Sequence, residues 1–140
     1  MVNSYQPTSL TLALDIRAKE SVTPYAGGTD IMIKPDENAT YLFLNKIEDM
    51  KNIIEDEEYI RIGASCTFTD IIESELTPDI LKEAASEIAA PAIRNLGTVG
   101  GNICNGSAKG DSSLIFFVAN SKLRLASCRG ERSEEHTSEL

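Results

Sequence analysis

Ile93-Arg94-Asn95-Leu96-Gly97-Thr98-Val99-Gly100-Gly101-Asn102-Ile103-Cys104-Asn105-Gly106-Ser107-Ala108-Lys109-Gly110-Asp111 is the stretch around which the chain is organised, and it holds five of the nine glycines. A packed core does not call for that density of glycine. Glycine allows positive φ and lets a ligand come close to the main chain. Successive N–H groups in such turns can form a concave nest for an anion. Asn95, Thr98, Asn102, Asn105, Ser107 and Asp111 add short hydrogen-bonding side chains. This composition suits a long loop around a polar, phosphate-bearing ligand. A solvated loop that binds nothing has the same composition and stays open at this point.

A second glycine cluster, Tyr25-Ala26-Gly27-Gly28-Thr29-Asp30-Ile31, lies upstream. A double glycine between a strand and a helical turn directs N–H groups toward a bound phosphate. A tight turn with Thr29 or Asp30 as helix cap is the plainer alternative. The two clusters together favour a ligand of dinucleotide size.

The rest of the chain reads as mixed α and β. Ser9 to Lys19 predicts a helix with Leu10, Ala13, Leu14 and Ile16 inward. Thr23 to Ala26 reads as a short buried strand and Tyr41 to Leu44 as another, with a helical turn at Ile47 to Met50. Ile53-Ile54 and Tyr59 to Gly63 form a predicted hairpin around the acidic turn Glu55 to Glu58. Adjacent carboxylates in one turn do not converge on a single ion, so that run reads as solvated. Thr67 or Thr69 caps a helix through Ile71, Ile72 and Leu76. Thr77 caps the next, with Pro78 at its first position and Ile80, Leu81, Ala84, Ala85 and Ile88 inward. A helix from Asp111 or Ser112 to Ala119 and an alternating strand at Lys122 to Ser127 follow.

Composition excludes several functions. The net charge of −9 argues against nucleic acid and membrane surfaces, which require a basic face. The longest apolar run, Leu114 to Ala119, is too short to span a bilayer. The N-terminus lacks the features of a signal peptide, so a cytoplasmic location is expected. Cys66, Cys104 and Cys128 are widely spaced and read as reduced thiols. There is no GxxxxGK[ST], no GxGxxG and no HExxH. The only histidine, His136, lies in the final segment 132–140, which is similar to the translation of a sequencing-adapter oligonucleotide. That segment is set aside as a non-native, adapter-derived tail, a step that takes the net charge from −9 to −7. No histidine-based triad is then available, and no catalytic side chain or metal site is assigned. If the chain is enzymatic, a bound cofactor carries the chemistry and the protein holds it.

Ala26-Gly27-Gly28-Thr29-Asp30, then Ile93 to Ile103, then Gly110-Asp111 resembles the FAD-binding (medium) subunit of the molybdenum hydroxylases, the xanthine dehydrogenase and carbon monoxide dehydrogenase group. The resemblance runs to about residue 131. It departs at Gly106-Ser107-Ala108-Lys109, where the family often has Ala-Ser-Pro before Gly-Asp. It implies an α+β fold, the FAD-binding fold of the vanillyl-alcohol-oxidase (PCMH) type, in two α/β subdomains. These would span 1–55 and 56–131, the second incomplete. It implies FAD held by Ala26, Gly27, Gly28, Thr29, Asp30, Ile31, Thr98, Gly100, Gly101, Asn102 and Asp111. It further implies a large partner subunit with the molybdenum cofactor, a small one with [2Fe–2S] clusters, and NAD or another final acceptor. A stand-alone flavoprotein and a non-catalytic nucleotide-binding module are the competing expectations.

Overall fold

Three short parallel strands carry the first part of the chain. The computed structural model describes residues 4–29, 31–88, 90–105, 115, 116 and 118–135. Strand β1 (Ser4–Tyr5) leads into helix α1 (Leu10–Lys19), which returns the chain to β2 (Thr23–Tyr25). Strand β3 (Tyr41–Phe43) then enters between them, giving the order β1-β3-β2 with both pairings parallel. The Ser9 hydroxyl starts α1 by accepting the Leu12 N–H at 3.2 Å. Ala13, Leu42 and Ile47 form the buried centre here, with Tyr5, Leu10, Ile16, Val22, Leu44 and Met50 packed around it.

The strand β2 was expected to be buried. Thr23 and Pro24 are instead exposed, because β2 lies at the sheet edge. That place suits Pro24, which has no N–H to give to a further strand.

Strands β4 (Ile53–Glu55) and β5 (Ile60–Ile62) form the predicted antiparallel hairpin, with Ile53 opposite Ile62. Its acidic turn is closed by Asp56, whose carboxylate accepts the N–H groups of Glu58 at 2.9 Å and Tyr59 at 2.8 Å. Ile53 and Ile62 pack on a second buried cluster of Cys66, Phe68, Ile71, Leu81, Ala85 and Val99.

Helix α2 (Phe68–Glu73) opens with a reciprocal capping box. Thr67 Oγ1 accepts the Asp70 N–H at 3.1 Å, and Asp70 Oδ2 accepts the Thr67 N–H at 2.9 Å. Helix α3 (Asp79–Glu87) differs from its expected start. Pro78 occupies the N-cap position, and Thr77 is buried, with its hydroxyl lacking a partner among the described residues. Ile80, expected inward, is exposed.

The larger correction concerns the glycine stretch. It is not one long loop. Pro91 begins helix α4 (Pro91–Leu96), and helix α5 (Val99–Asn105) follows after a break at Gly97-Thr98. Arg94 holds α4 to the end of α3 by donating to the Ser86 and Ile88 carbonyls at 2.9 and 3.2 Å. The helix expected between Asp111 and Ala119 falls largely outside the described residues, although Ile115 and Phe116 pack on the second cluster.

Strand β6 (Lys122–Ser127) pairs antiparallel with β7 (Gly130–Glu135). Strand β7 thus extends through Arg132–Glu135, part of the segment set aside on sequence grounds; 136–140 lie outside the described residues. Among the described residues no helix is long and apolar enough to cross a membrane.

Candidate functional site

Strand β2 delivers the chain into the turn Ala26–Thr29. Gly28 has φ +74°, a left-handed conformation that side-chain-bearing residues rarely adopt. Its carbonyl accepts the Met32 N–H at 3.0 Å, which closes the turn onto a short 3-10 helix at Ile31–Ile33. Gly27 is required for a different reason. A Cβ there would overlap the Leu96 carbonyl oxygen and lie 2.7 Å from its carbon. The two glycine-bearing stretches, about seventy residues apart in sequence, therefore meet backbone to backbone.

The α4–α5 junction is fixed from its other side. Gly97 accepts the Phe68 N–H at 3.1 Å. Val99 donates to the Cys66 carbonyl at 2.9 Å and Gly100 to the Ala64 carbonyl at 2.8 Å. Thr98, 7% exposed, bridges to Thr67, and its Oγ1 accepts the Gly101 N–H at 3.1 Å. Asn102 donates its N–H to the Thr98 carbonyl at 3.0 Å. The N–H groups of Val99, Gly100, Gly101 and Asn102 are thus engaged within the protein. They are not the open donors that a glycine nest would present.

A cleft of about 630 Å³ lies where these pieces converge. Ser4, Gln6, Tyr25, Phe43 and Asn45 line it from the parallel sheet, together with Ala26 and Gly27 of the turn. Lys51, Ser65, Thr67, Asn95, Leu96 and Thr98 complete the wall. Of the residues expected to bind a cofactor, Ala26, Gly27 and Thr98 reach the cleft. Gly28, Thr29 and Ile31 belong to the same turn, and Gly100, Gly101 and Asn102 to α5, without being among its lining residues. Asp30 and Asp111 lie outside the described residues.

The volume is that of a small-molecule site. Its polar groups suit a phosphate-bearing ligand. Among the described lining residues Lys51 is the one that carries a charge, and none is an Asp or Glu. Ser65 is 8% exposed, and its Oγ has no partner among the described residues. Tyr25 and Phe43 supply aromatic surface, their ring centroids 4.9 Å apart. A dinucleotide such as FAD fits this donor set: an anion against Lys51 and hydroxyls, and planar rings against the aromatic pair. Sequence reading missed Lys51, Ser65 and Tyr25 as lining residues. The run Gly63-Ala64-Ser65-Cys66-Thr67 carried a faint signal, small polar residues directly after a strand; Lys51 carried none.

Burial, with the Asp70 carboxylate nearby, raises the Cys66 thiol above its ordinary value, so it stays neutral. Cys66 is a core residue and not a nucleophile. Among the described residues no group of three or more His, Cys, Asp or Glu side chains could hold a metal ion.

A parallel three-stranded layer joined to a mixed helical unit across a glycine-built cleft defines a nucleotide-cofactor-binding protein of mixed α and β class. The chain belongs to the family of FAD-binding domains in molybdopterin dehydrogenases, which it matches over residues 1–138. The xanthine dehydrogenase FAD-binding subunit of Escherichia coli O157:H7 is 37% identical over 115 residues, covering 76% of this chain and 39% of that protein. The nicotinate dehydrogenase FAD-subunit of Eubacterium barkeri is 36% identical, covering 80% and 40%. Reconstituted CO dehydrogenase from Oligotropha carboxidovorans superposes with a TM-score of 0.88 at 29% identity, over 96% of this chain and 50% of that one. Quinoline 2-oxidoreductase from Pseudomonas putida 86, at 20% identity and a TM-score of 0.90, shares the fold. The chain spans half or less of the length of these relatives.

Proposed function

We propose that this chain is the FAD-holding, electron-transferring part of a molybdenum-containing hydroxylase or dehydrogenase of the xanthine dehydrogenase type. The observation that carries this reading is the backbone contact between Gly27 and Leu96. It brings both glycine stretches to one cleft whose described lining bears a single positive charge. The fold would be of the PCMH type in two α/β subdomains. They would span 1–55 and 56–131, which leaves the buried residues of one cluster in each.

The turn from Ala26 to Ile31, with Asp30, and the group Thr98, Gly100, Gly101, Asn102 and Asp111 would hold FAD. Bound FAD would supply reversible redox chemistry, accepting electrons and releasing them to NAD or another acceptor. The chain's own part is to bind and orient. Thr98 presents a hydroxyl at the cleft wall, and the Gly27 turn admits the ligand close to the backbone. The [2Fe–2S] clusters and the molybdenum cofactor belong to small and large partner subunits, and activity is that of the complex. A cytoplasmic location fits such an assembly.

An FAD titration followed by flavin fluorescence, with ADP and FMN as controls, tests the reading. FAD should bind with quenching, ADP should compete, and FMN should not. A folded chain that binds neither FAD nor ADP would overturn it.

A further inference from the structure

We infer that Lys51 and Ser65 form an anion-holding wall of the cleft and contact the pyrophosphate of the bound dinucleotide. This rests on the FAD-binding reading but lies outside both glycine motifs.

The two residues are adjacent in space although separated in sequence. Ser65 donates its N–H to the Met50 carbonyl at 2.8 Å, directly beside Lys51. Lys51 donates its own N–H to the Glu48 carbonyl at 3.0 Å, and Gly63 donates to the Asn52 carbonyl at 2.8 Å. The backbone under both side chains is therefore fixed, which limits the entropy lost when they engage a ligand.

Charge supplies the second part of the argument. The chain carries −9 overall, so a dianionic pyrophosphate approaches against a repulsive field. Lys51 is the one charged residue among the described lining. Its Nζ donates to Glu48 Oε1 at 3.4 Å, and the Glu48 side chain is 82% exposed. So long and solvated a pair is readily exchanged for a phosphate.

Ser65 supplies the third part. A buried hydroxyl without a partner is costly to keep. On the wall of a ligand cleft that cost has a use, since the hydroxyl is ready to donate to a phosphate oxygen. Thr67 and Thr98 place two more hydroxyl-bearing side chains on the same wall. The N–H groups of Val99 to Asn102 are already engaged, so on this wall side-chain hydroxyls and Lys51 are the donors that remain.

The test measures binding of FAD, ADP and riboflavin to the whole chain and to Lys51→Gln, Lys51→Arg and Ser65→Ala, with thermal melts of each. Lys51→Gln should weaken FAD and ADP by about tenfold, the effect of losing one charge-assisted contact. It should leave riboflavin, which has no phosphate, unchanged, and flatten the salt dependence of FAD binding. Lys51→Arg should retain most of the affinity. Ser65→Ala should weaken FAD and ADP by about fivefold while melting at the same or a higher temperature. If wild type binds FAD and both Lys51→Gln and Ser65→Ala bind it equally well, the inference is overturned and the FAD reading stands. An equal loss for riboflavin also overturns it, since the residues would then act on the fold. If wild type binds neither FAD nor ADP, both readings fall.

Discussion

Replacing Gly27 with alanine tests whether the cleft depends on direct backbone contact between its two sides. The added methyl would overlap the Leu96 carbonyl oxygen and sit 2.7 Å from its carbon and 3.2 Å from the Gly97 nitrogen. All three are main-chain atoms, so no rotamer change relieves the overlap. The Gly97 nitrogen already donates to the Ile93 carbonyl at 2.7 Å, and the Gly97 carbonyl accepts from Phe68. The junction cannot move without straining α4 or α2. Overpacking of this kind costs about 1–3 kcal/mol. For a chain of this size that lowers the melting temperature by roughly 4–12 °C. Alternatively the turn swings away, the melt changes little, and the cleft opens. Thermal melting by circular dichroism and an FAD or ADP titration on the same sample separate the two responses. A Gly27→Ala chain with unchanged melting temperature and unchanged affinity would refute the contact.

Three further outcomes follow from individual side chains. Thr67→Ala removes one half of the capping box and should cost about 1 kcal/mol, read as a lower urea midpoint with an unchanged slope. Thr77→Val removes a buried hydroxyl that has no partner among the described residues, and should raise the midpoint by an equivalent of roughly 1 kcal/mol; a fall would mean that the hydroxyl is bonded. Asp56 is held down to about 2 by its hydrogen bond to Arg61 Nε, 2.6 Å long, and by the Glu58 and Tyr59 N–H groups. Its folded value lies below the ordinary 3.8, so its stabilising contribution is present above that value and fades as pH falls toward 2. The difference in melting temperature between wild type and Asp56→Asn should therefore shrink across that window, and a constant difference would refute the assignment.

Local signals were legible where one physical term dominates. The helix from Ser9, a threonine cap at Thr67 or Thr69, and a hairpin of Ile53-Ile54 with Tyr59 to Gly63 are legible from periodicity, capping chemistry and turn composition, and the structure selects Thr67. Thr77-Pro78 was misread because burial of Thr77 prevailed over its capping preference. The segment from Ile93 to Asn105 was read as loop because glycine disfavours helix by about 1 kcal/mol per residue. In the structure Pro91 starts one helix, and the anchoring of Val99 and Gly100 to Cys66 and Ala64 supports the other. Parts of both motifs lie at the cleft. The motifs could not indicate that Gly27 would touch Leu96, or that Lys51 and Ser65 would share the wall. Those are contacts between distant segments, which leave no mark on local pattern.

The cleft draws its walls from the segments that surround both buried clusters, and this has a consequence for how the protein melts. A ligand seated there binds only when both clusters are folded and docked, so its binding energy adds to the cohesion between them. Without ligand, the parallel-strand unit around Leu42 and the helical unit around Ile71 are expected to unfold as separate cooperative steps. With ligand at saturation the two steps merge into one. A bound FAD would then serve as mortar between two halves of the chain.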